Sequence, residues 1–420
     1  MIGYKKKLFK MAIAVIASAP ILALATNGMN PEGTGPKNRG MGGAGVAMAT
    51  ETQSIIINPA AVTGVGNRQD IAFGLFSPDR GFTLSGNGAG LDQSQTSDSD
   101  LFAIPFYGYS RQLDDGAAWA FTISGAGGMN TDYPVNFGAA FGFTGPTGLD
   151  LAQLFFGGTY GSKISDSLAW GVTVSLAYAQ FSAEGLDIFD SPAISSSMGS
   201  VTNNGTDSST GIGLKVGLLG QLDNGGSWGV SYQFKTDMSE FDKYKGLFAD
   251  QGDLDIAPTL TLGVAIPISD DTTLAVDYHY IDYEAVDTIS NSTSLLDPGV
   301  VRFGDSGGPG FGWQSISVIK AGISKKTSDK MIWRGGVNIG ESPLTTDEFS
   351  TAFLVPATIE KHLTVGFTRQ LSSKSELTGV FVHSLEECQS GSFSGTFGFG
   401  TLEACMEQNF IELSYGMLFQ

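Results

Sequence analysis

Trp170-Gly171-Val172-Thr173-Val174-Ser175-Leu176-Ala177-Tyr178-Ala179 alternates a large apolar residue with a small or hydroxylated one at every step. A period of two sends the first set to one face of a β-strand and the second set to the other. The face carrying Trp170, Val172, Val174, Leu176 and Tyr178 suits hydrocarbon, and the opposite face suits a wet lumen, which is how a transmembrane barrel strand reads. The pattern recurs downstream. Trp228, Val230, Tyr232 and Phe234 alternate with Gly229, Ser231, Gln233 and Lys235, and Leu260, Leu262, Val264 and Ile266 with Thr259, Thr261, Gly263 and Ala265.

Extended along the chain, the same reading predicts strands at 69–78, 102–112, 117–126, 151–162, 168–182, 211–222, 227–237, 256–266, 272–283, 314–324, 331–340, 361–370, 376–385 and 409–419. That is about fourteen, an even number as in bacterial single-chain barrels. The connections alternate in length. Short turns fall at Leu113-Asp114-Asp115-Gly116, Ile164-Ser165-Asp166-Ser167, Asp223-Asn224-Gly225-Gly226, Ser269-Asp270-Asp271, Thr327-Ser328-Asp329-Lys330 and Ser372-Ser373-Lys374, with long segments at 127–150, 183–210, 238–255, 284–313, 341–360 and 386–408 between them. Short periplasmic turns and long outer loops are the barrel signature, and a soluble sandwich or propeller gives no reason for them. The expected fold is all-β: a transmembrane antiparallel β-barrel of about 14 strands, with long extracellular loops, over 69–420.

Composition agrees. Fifty-eight glycines, 28 phenylalanines and only 15% charged residues describe neither a disordered acidic chain nor a helical bundle. Lys5, Lys6, Lys7 and Lys10 precede an apolar run from Met11 to Leu24 and the small-residue pattern Ala23-Leu24-Ala25, so residues 1–25 read as a secretory signal peptide. The run is shorter than the ~20 residues a spanning helix needs. Removing it takes four of the 23 basic residues and none of the 42 acidic ones, which moves the formal charge from −19 to −23. So acidic a chain is not expected to bind nucleic acid.

Residues 26–68 are Gly-rich and weakly charged, and they precede the first strand. They could form a disordered leader, but a lumen this wide must be filled or it becomes an open channel, so an N-terminal hatch is expected here. Asn58-Pro59-Ala60 specifies a rigid turn at its end, because proline fixes φ and asparagine can bond its own backbone two residues on. A turn there could merely start the first strand, but the expectation is that it positions the hatch across the lumen, beneath the ligand pocket.

Gly40-Met41-Gly42-Gly43-Ala44-Gly45-Val46-Ala47 followed by Asn58-Pro59-Ala60-Ala61 resembles the plug sequence of the FadL family of outer-membrane transporters for long-chain fatty acids and other hydrophobic compounds. Further resemblance lies in Ala257-Pro258-Thr259-Leu260-Thr261-Leu262-Gly263-Val264-Ala265, in Trp333-Arg334-Gly335-Gly336-Val337 leading to Glu341-Ser342-Pro343, and in His362-Leu363-Thr364-Val365-Gly366. The resemblance implies capture of a hydrophobic molecule between outer loops, transfer to an internal pocket beside the hatch, and sideways exit through a gap made by a kink in the third strand. Gly125, Gly127 and Gly128 close the third predicted strand and fit that kink. One departure is the C-terminus, Leu418-Phe419-Gln420, where the aromatic residue stands one position earlier than is usual in such barrels.

Gly304-Asp305-Ser306-Gly307-Gly308-Pro309 matches a trypsin-like nucleophile signature, yet His279, His362 and His383 are the only histidines and none has the context of a catalytic base. A phospholipase Ser–His pair near the outer rim would have to use His383, and no motif accompanies it. No enzyme and no cofactor are expected. Cys388 and Cys405 share the last long segment of an exported chain and are expected to pair, a metal site or two free thiols being the alternatives. Lys320 and Arg334 must point inward, since a lipid-facing cation at mid-membrane costs ~2–4 kcal/mol; Lys215, Lys235, Asp277 and His279 read the same way. Lys320 and Arg334 could hold a ligand carboxylate or be balanced by acids of the hatch. Aspartate-rich loops at 184–208 and 237–255 could bind divalent cations or sit against lipopolysaccharide, or simply be solvated. The expected protein is a monomer of the Gram-negative outer membrane, in contact with membrane lipid and lipopolysaccharide. Its expected function is uptake of hydrophobic molecules, with a general porin for small polar solutes as the alternative.

Overall fold

A computed structural model describes residues 27–393 and 398–419; the expected signal peptide lies outside them. Fifteen strands follow in chain order: β1 (Arg68–Ser85), β2 (Gln93–Thr96), β3 (Phe102–Gln112), β4 (Ala117–Tyr133), β5 (Thr147–Ser165), β6 (Leu168–Glu184), β7 (Asp207–Gln221), β8 (Ser227–Gln233), β9 (Thr259–Ser269), β10 (Thr272–Ile281), β11 (Ile316–Ser328), β12 (Met331–Gly340), β13 (Lys361–Ser372), β14 (Ser375–Phe393) and β15 (Gly400–Leu418). All but β2 form the wall, each antiparallel to its neighbour, and β15 returns to β1 from Arg68↔Leu418 to Ser85↔Thr401. β2 is a short rung on the upper part of β1, Gly81↔Thr96 to Leu84↔Gln93. Closure joins the first wall strand to the last, as a bilayer requires because it offers backbone groups no partner.

The alternation decides which way each strand faces. Val174 and Leu176 on β6, Ile319 and Ile323 on β11, Leu363 and Val365 on β13 and Ile411 and Leu413 on β15 are exposed on the outer face, while Ala177, Lys320, Thr364 and Glu412 are buried inside. All fourteen wall strands were predicted. β3 and β12 match the predicted bounds, and the short turns stand where the sequence placed them.

The differences are at the outer ends. The expected loop 386–408 is mostly ladder, because β14 runs on to Phe393 and β15 begins at Gly400. Cys388 and Cys405 stand directly opposite each other on these strands and form a disulfide, with Cα atoms 4.1 Å apart. Thiol labelling of the denatured, unreduced protein should therefore detect no free cysteine, and two labelled thiols per chain would contradict the pairing. Conversely, the strand expected over 227–237 stops at Gln233 and the one expected from 256 starts at Thr259. Pro258, which cannot donate to a ladder, precedes that start. Lys235 accordingly leaves the wall and pairs with Asp255 at 2.7 Å and Asp237 at 3.2 Å.

Residues 27–67 run inside the barrel. They contain short helices at Pro36–Arg39 and Ser54–Ile57 and a 3-10 turn at Pro59–Thr63. Above them the outer loops bury a cluster rich in aromatic residues, including Phe181, Phe241, Phe248, Trp313 and Phe353.

Candidate functional site

The internal segment is fastened to the wall around most of its circumference. The Asn58 Oδ1 accepts from the Ala60 N–H at 3.0 Å, the two-residue bond that makes the Asn-Pro turn, while its Nδ2 donates to Val46 O at 2.7 Å and to Leu218 O at 2.9 Å. One side chain thus ties the turn to the hatch and to β7. On the adjoining wall, Asp277 of β10 accepts the Gly45 and Val46 N–H groups at 2.7 and 2.9 Å, and Ser227 donates to Ala47 O at 2.7 Å. Across the lumen the link is ionic: Lys37 and Arg68 share Glu376 at 2.6 and 2.7 Å, Arg68 pairs with Asp70 at 2.6 Å, and Thr52 donates to Asp70 from its backbone and its hydroxyl. Burial pushes the hatch carboxyl of Glu51 up to about 8, against the pull of Lys37. This is a low-dielectric site in which paired charge is retained only with well-made partners.

Glycines of the wall permit the close approach. A Cβ on Gly171 would collide with the backbone of Pro59, and one on Gly336 with the backbone of Met41 and Gly42. Inward strand glycines read in the sequence only as small lumenal residues, because nothing local says that a second backbone will lie against them.

Three cavities lie along the lumen. The outermost, about 380 Å³, sits among the loops and is lined by Phe189, Phe248, Phe303, Phe311, Phe353 and the exposed Phe399. The second is about 30 Å³; Phe76, Arg80, Gly128, Met129, Trp313 and Leu354 bound it. Leu354 borders both, so the small pocket lies under the floor of the large one. The third, about 170 Å³, lies between the hatch at Ile55–Ile57 and the loop segment Asp255–Ala257, and Lys215, Asp277, His279 and Lys320 project into it among hydroxyl side chains. The segment Asn27–Pro31 separates the last two, clasped by the Tyr283 hydroxyl, which donates to Asn27 O at 2.5 Å and accepts from Met29 N at 2.9 Å.

The small pocket abuts an interruption of the wall. The β3–β4 ladder ends at Phe106↔Ser124. On the other side, β4 pairs with β5 as far as Ala126↔Gln153 and resumes at Met129↔Leu151, so Gly127 and Gly128 together face the one residue Ala152. This bulge also reverses the facing of the strand: Thr122 and Ser124 point inward below it, Met129, Thr131 and Tyr133 above it. From Gly125 to Thr131 no backbone bond joins β4 to β3 among the described residues; the next link is Asp98 N to Asp132 O at 2.7 Å. Pro105 on β3 lies next to Gly125 and has no N–H to continue the ladder. Inside, β4 is held by Thr131 Oγ1 donating to Leu354 O at 3.0 Å and the Tyr133 hydroxyl donating to Phe353 O at 2.7 Å.

The two candidate head-group residues part company. Lys320 lines the third cavity opposite Asp277 on the β10–β11 ladder, without a direct ion pair among the described residues. Arg334 packs on Gly40 of the hatch, donates to Thr368 Oγ1 at 2.7 Å and lines none of the three cavities. His279 bonds Thr261, His383 bonds Asn409, and Ser306 donates to Asp250, so no serine is paired with a histidine among the described residues. Arg80 was missed. The expected first strand stopped at Pro78, but Pro78 is accommodated opposite Gln408 and the inward parity of Ala72 and Phe76 continues to Arg80.

Residues 11–386 match the family described as outer membrane protein transport protein (OMPP1/FadL/TodX). The long-chain fatty acid transport protein of Escherichia coli O6:H1 is 23% identical over 261 residues, which are 58% of this chain and 57% of that protein. The chain thus matches little more than half the length of that curated relative. Among solved structures, the Pseudomonas putida toluene transporter TodX superposes with a TM-score of 0.67 at 18% identity, over 93% of this chain and 99% of that one. A Pseudomonas aeruginosa FadL homologue gives 0.67 at 14%, over 96% and 100%. These likenesses show the shared fold.

Proposed function

The chain belongs to the outer membrane protein transport family (OMPP1/FadL/TodX), and from that membership we propose that it takes up hydrophobic molecules by a lateral route. The substrate enters the phenylalanine-lined cavity among the outer loops, moves past Leu354 into the small pocket, and leaves through the side of the barrel at Gly125–Gly128 into the membrane. Apolar lining suits such a ligand, because the hydrophobic effect contributes about 25 cal/mol per Å² of apolar surface withdrawn from water. A sideways exit keeps the molecule out of the periplasmic water that would oppose its release.

The observation that carries this reading is the meeting of two features at Gly128: a pocket adjoining the outer cavity, and a wall whose ladder is interrupted. The hatch lies across the straight route to the periplasm, which disfavours a porin.

The test is uptake by a Gram-negative host lacking its own transporter for hydrophobic compounds, offered labelled oleate and labelled toluene, together with identification of whatever co-purifies after extraction in mild detergent. Uptake above the empty-vector level for at least one compound is expected, with an apolar or amphiphilic molecule in the extract. Passage of small sugars at porin-like rates with no gain for either compound would replace this function with the porin.

A further inference from the structure

Arg80 lies at the interruption, on β1, and is buried. Its guanidinium donates to the backbone oxygen of Asn130 on β4 and to that of Ser99 in the link between β2 and β3. It thereby stands in for the ladder that β3 and β4 do not make, holding β4 above the bulge to the segment that leads into β3. The group also lies 5.5 Å from the ring centroid of Phe102. Two features exceed what a mere staple needs. The Nε is buried without a hydrogen-bond partner, and the cation forms no ion pair with a carboxylate among the described residues. The pocket it faces is otherwise mostly apolar, with Phe76, Met129, Trp313 and Leu354 around it.

A buried guanidinium that feels Asp79, Asp100 and Asp150 only at a distance and touches none of them is incompletely compensated by neutral carbonyls, and its planar fork matches a carboxylate in bidentate fashion. We propose that Arg80 is a carboxylate-operated latch on the side gap: an acid-bearing amphiphile takes the guanidinium N–H groups from Asn130 and Ser99 and so loosens β4 at Asn130, beside the bulge, while Thr131, Asp132 and Tyr133 keep their own bonds above it. The inference rests on the lateral route proposed above and gives it a substrate class, monocarboxylic amphiphiles in preference to neutral hydrocarbons. Size fits this division of labour. The small pocket, at about 30 Å³, has room for a head group, while a chain can occupy the cavity of about 380 Å³ on the other side of Leu354. Lys320 is a weaker candidate for the same task, because Asp277 projects into its cavity and already serves the hatch.

The experiment compares wild type, Arg80→Gln and Arg80→Lys, each shown to be a folded, heat-modifiable barrel, for uptake of labelled oleate and labelled hexadecane. Losing a charge-assisted bidentate contact should lower the oleate-to-hexadecane uptake ratio at least about tenfold in Arg80→Gln, with part of it restored in Arg80→Lys. An unchanged ratio, including an equal fall for both compounds, would overturn the latch while leaving the lateral route standing. Retention of radiolabelled decanoate against decan-1-ol on the purified proteins in detergent separates the two failures. Should wild type transport neither compound, the route fails, and the recognition claim is then judged by binding alone: preference for decanoate in wild type that disappears in Arg80→Gln supports it, and preference that persists refutes it.

Discussion

With Gly128 deleted and Pro105 replaced by valine, uptake of a hydrophobic substrate is expected to fall at least about tenfold, to the level of a host without the protein, while the barrel still folds. The reasoning follows the strand. Two residues of β4, Gly127 and Gly128, oppose Ala152 alone, so removing one restores a one-to-one register with β5. A single deletion also preserves the facing above the bulge. Ser124 points inward, and in a strand of unbroken period two the residue four positions on points inward as well. Once Gly128 is gone Met129 occupies that position, so Met129, Thr131 and Tyr133 keep the direction they have. Valine at 105 supplies the N–H that proline lacks. β3 and β4 can then continue their ladder outward, satisfying groups that would otherwise cost several kcal/mol each in hydrocarbon. The repaired protein should be as stable as wild type or more so and yet inactive. Undiminished uptake by a variant with the ladder closed would remove lateral exit as the route.

That prediction depends on features unequally visible in the sequence. The bulge was foreshadowed by the glycines at 125, 127 and 128, and the wall by period-two alternation, because both are local properties of a strand. The short turns were legible for the same reason. The partners of the lumenal charges were not. Glu376 and Arg68 are 308 residues apart, and Lys37 and Glu376 are 339 apart; their meeting depends on barrel closure and on how the hatch lies, and neither leaves a periodic trace. Inward direction could be assigned to Lys320 and Arg334 from the cost of exposing a cation to lipid. Their different surroundings could not, since a cavity is a property of several strands at once. The length of the β14–β15 hairpin was underestimated because Glu386 to Ser392 offer no apolar face and because on 401–407 the alternation is inverted above the hydrocarbon, with Leu402, Ala404 and Met406 buried inside and Glu403 and Glu407 on the other face.

The hatch and the side opening are two parts of one arrangement. A gap in a barrel wall would leak solvent if the lumen behind it were open, so lateral delivery requires that the axial route be shut. The attachments divide accordingly. Near β14–β1 the hatch is held by the Lys37–Glu376 and Arg39–Glu412 ion pairs and by Arg68 donating to Thr50 O, and near β7–β10 by hydrogen bonds of Asn58, Ser227 and Asp277, with wall glycines such as Gly171 and Gly336 admitting its backbone on both sides. The ionic side, on β14 and β15, tolerates little displacement because a separated buried pair costs roughly 3–5 kcal/mol, whereas the flank of the gap on β5 and β6 is lined by the Pro59–Thr63 turn, with Val62 against Gly161 and Pro59 against Gly171.

Deleting residues 26–57 should convert a nearly closed protein into one that conducts ions in planar bilayers. The wall does not depend on the hatch for its own hydrogen bonds: its fourteen strands pair with one another around the full circumference apart from the interruption beside β4, and Arg68 keeps Asp70 and Glu376 as partners when Lys37 is gone. The variant is thus expected to fold and to remain heat-modifiable. What it loses is the cross-lumen segment, and the groups left behind, Asp277, Glu412 and Ser227 among them, are polar and become hydrated, so water fills the space. Conductance should rise from near the bilayer baseline to that of an open barrel, and uptake of hydrophobic substrate should lose its advantage over that of small polar solutes. Replacing Asn58-Pro59-Ala60 with three glycines is the finer version. It removes the Asn58 bonds to Val46 O, Leu218 O and Ala60 N and releases the fixed φ of Pro59, so the hatch should stay tethered through Lys37 and Glu376 but sit loosely. Intermittent conductance and an uptake reduced about tenfold are the expected outcome, as for the loss of two or three hydrogen bonds at about 0.5–1.5 kcal/mol each. If full-length protein already conducts like an open pore, and uptake is indifferent to the turn, then residues 27–67 do not close the lumen in the membrane and the molecule works as a porin.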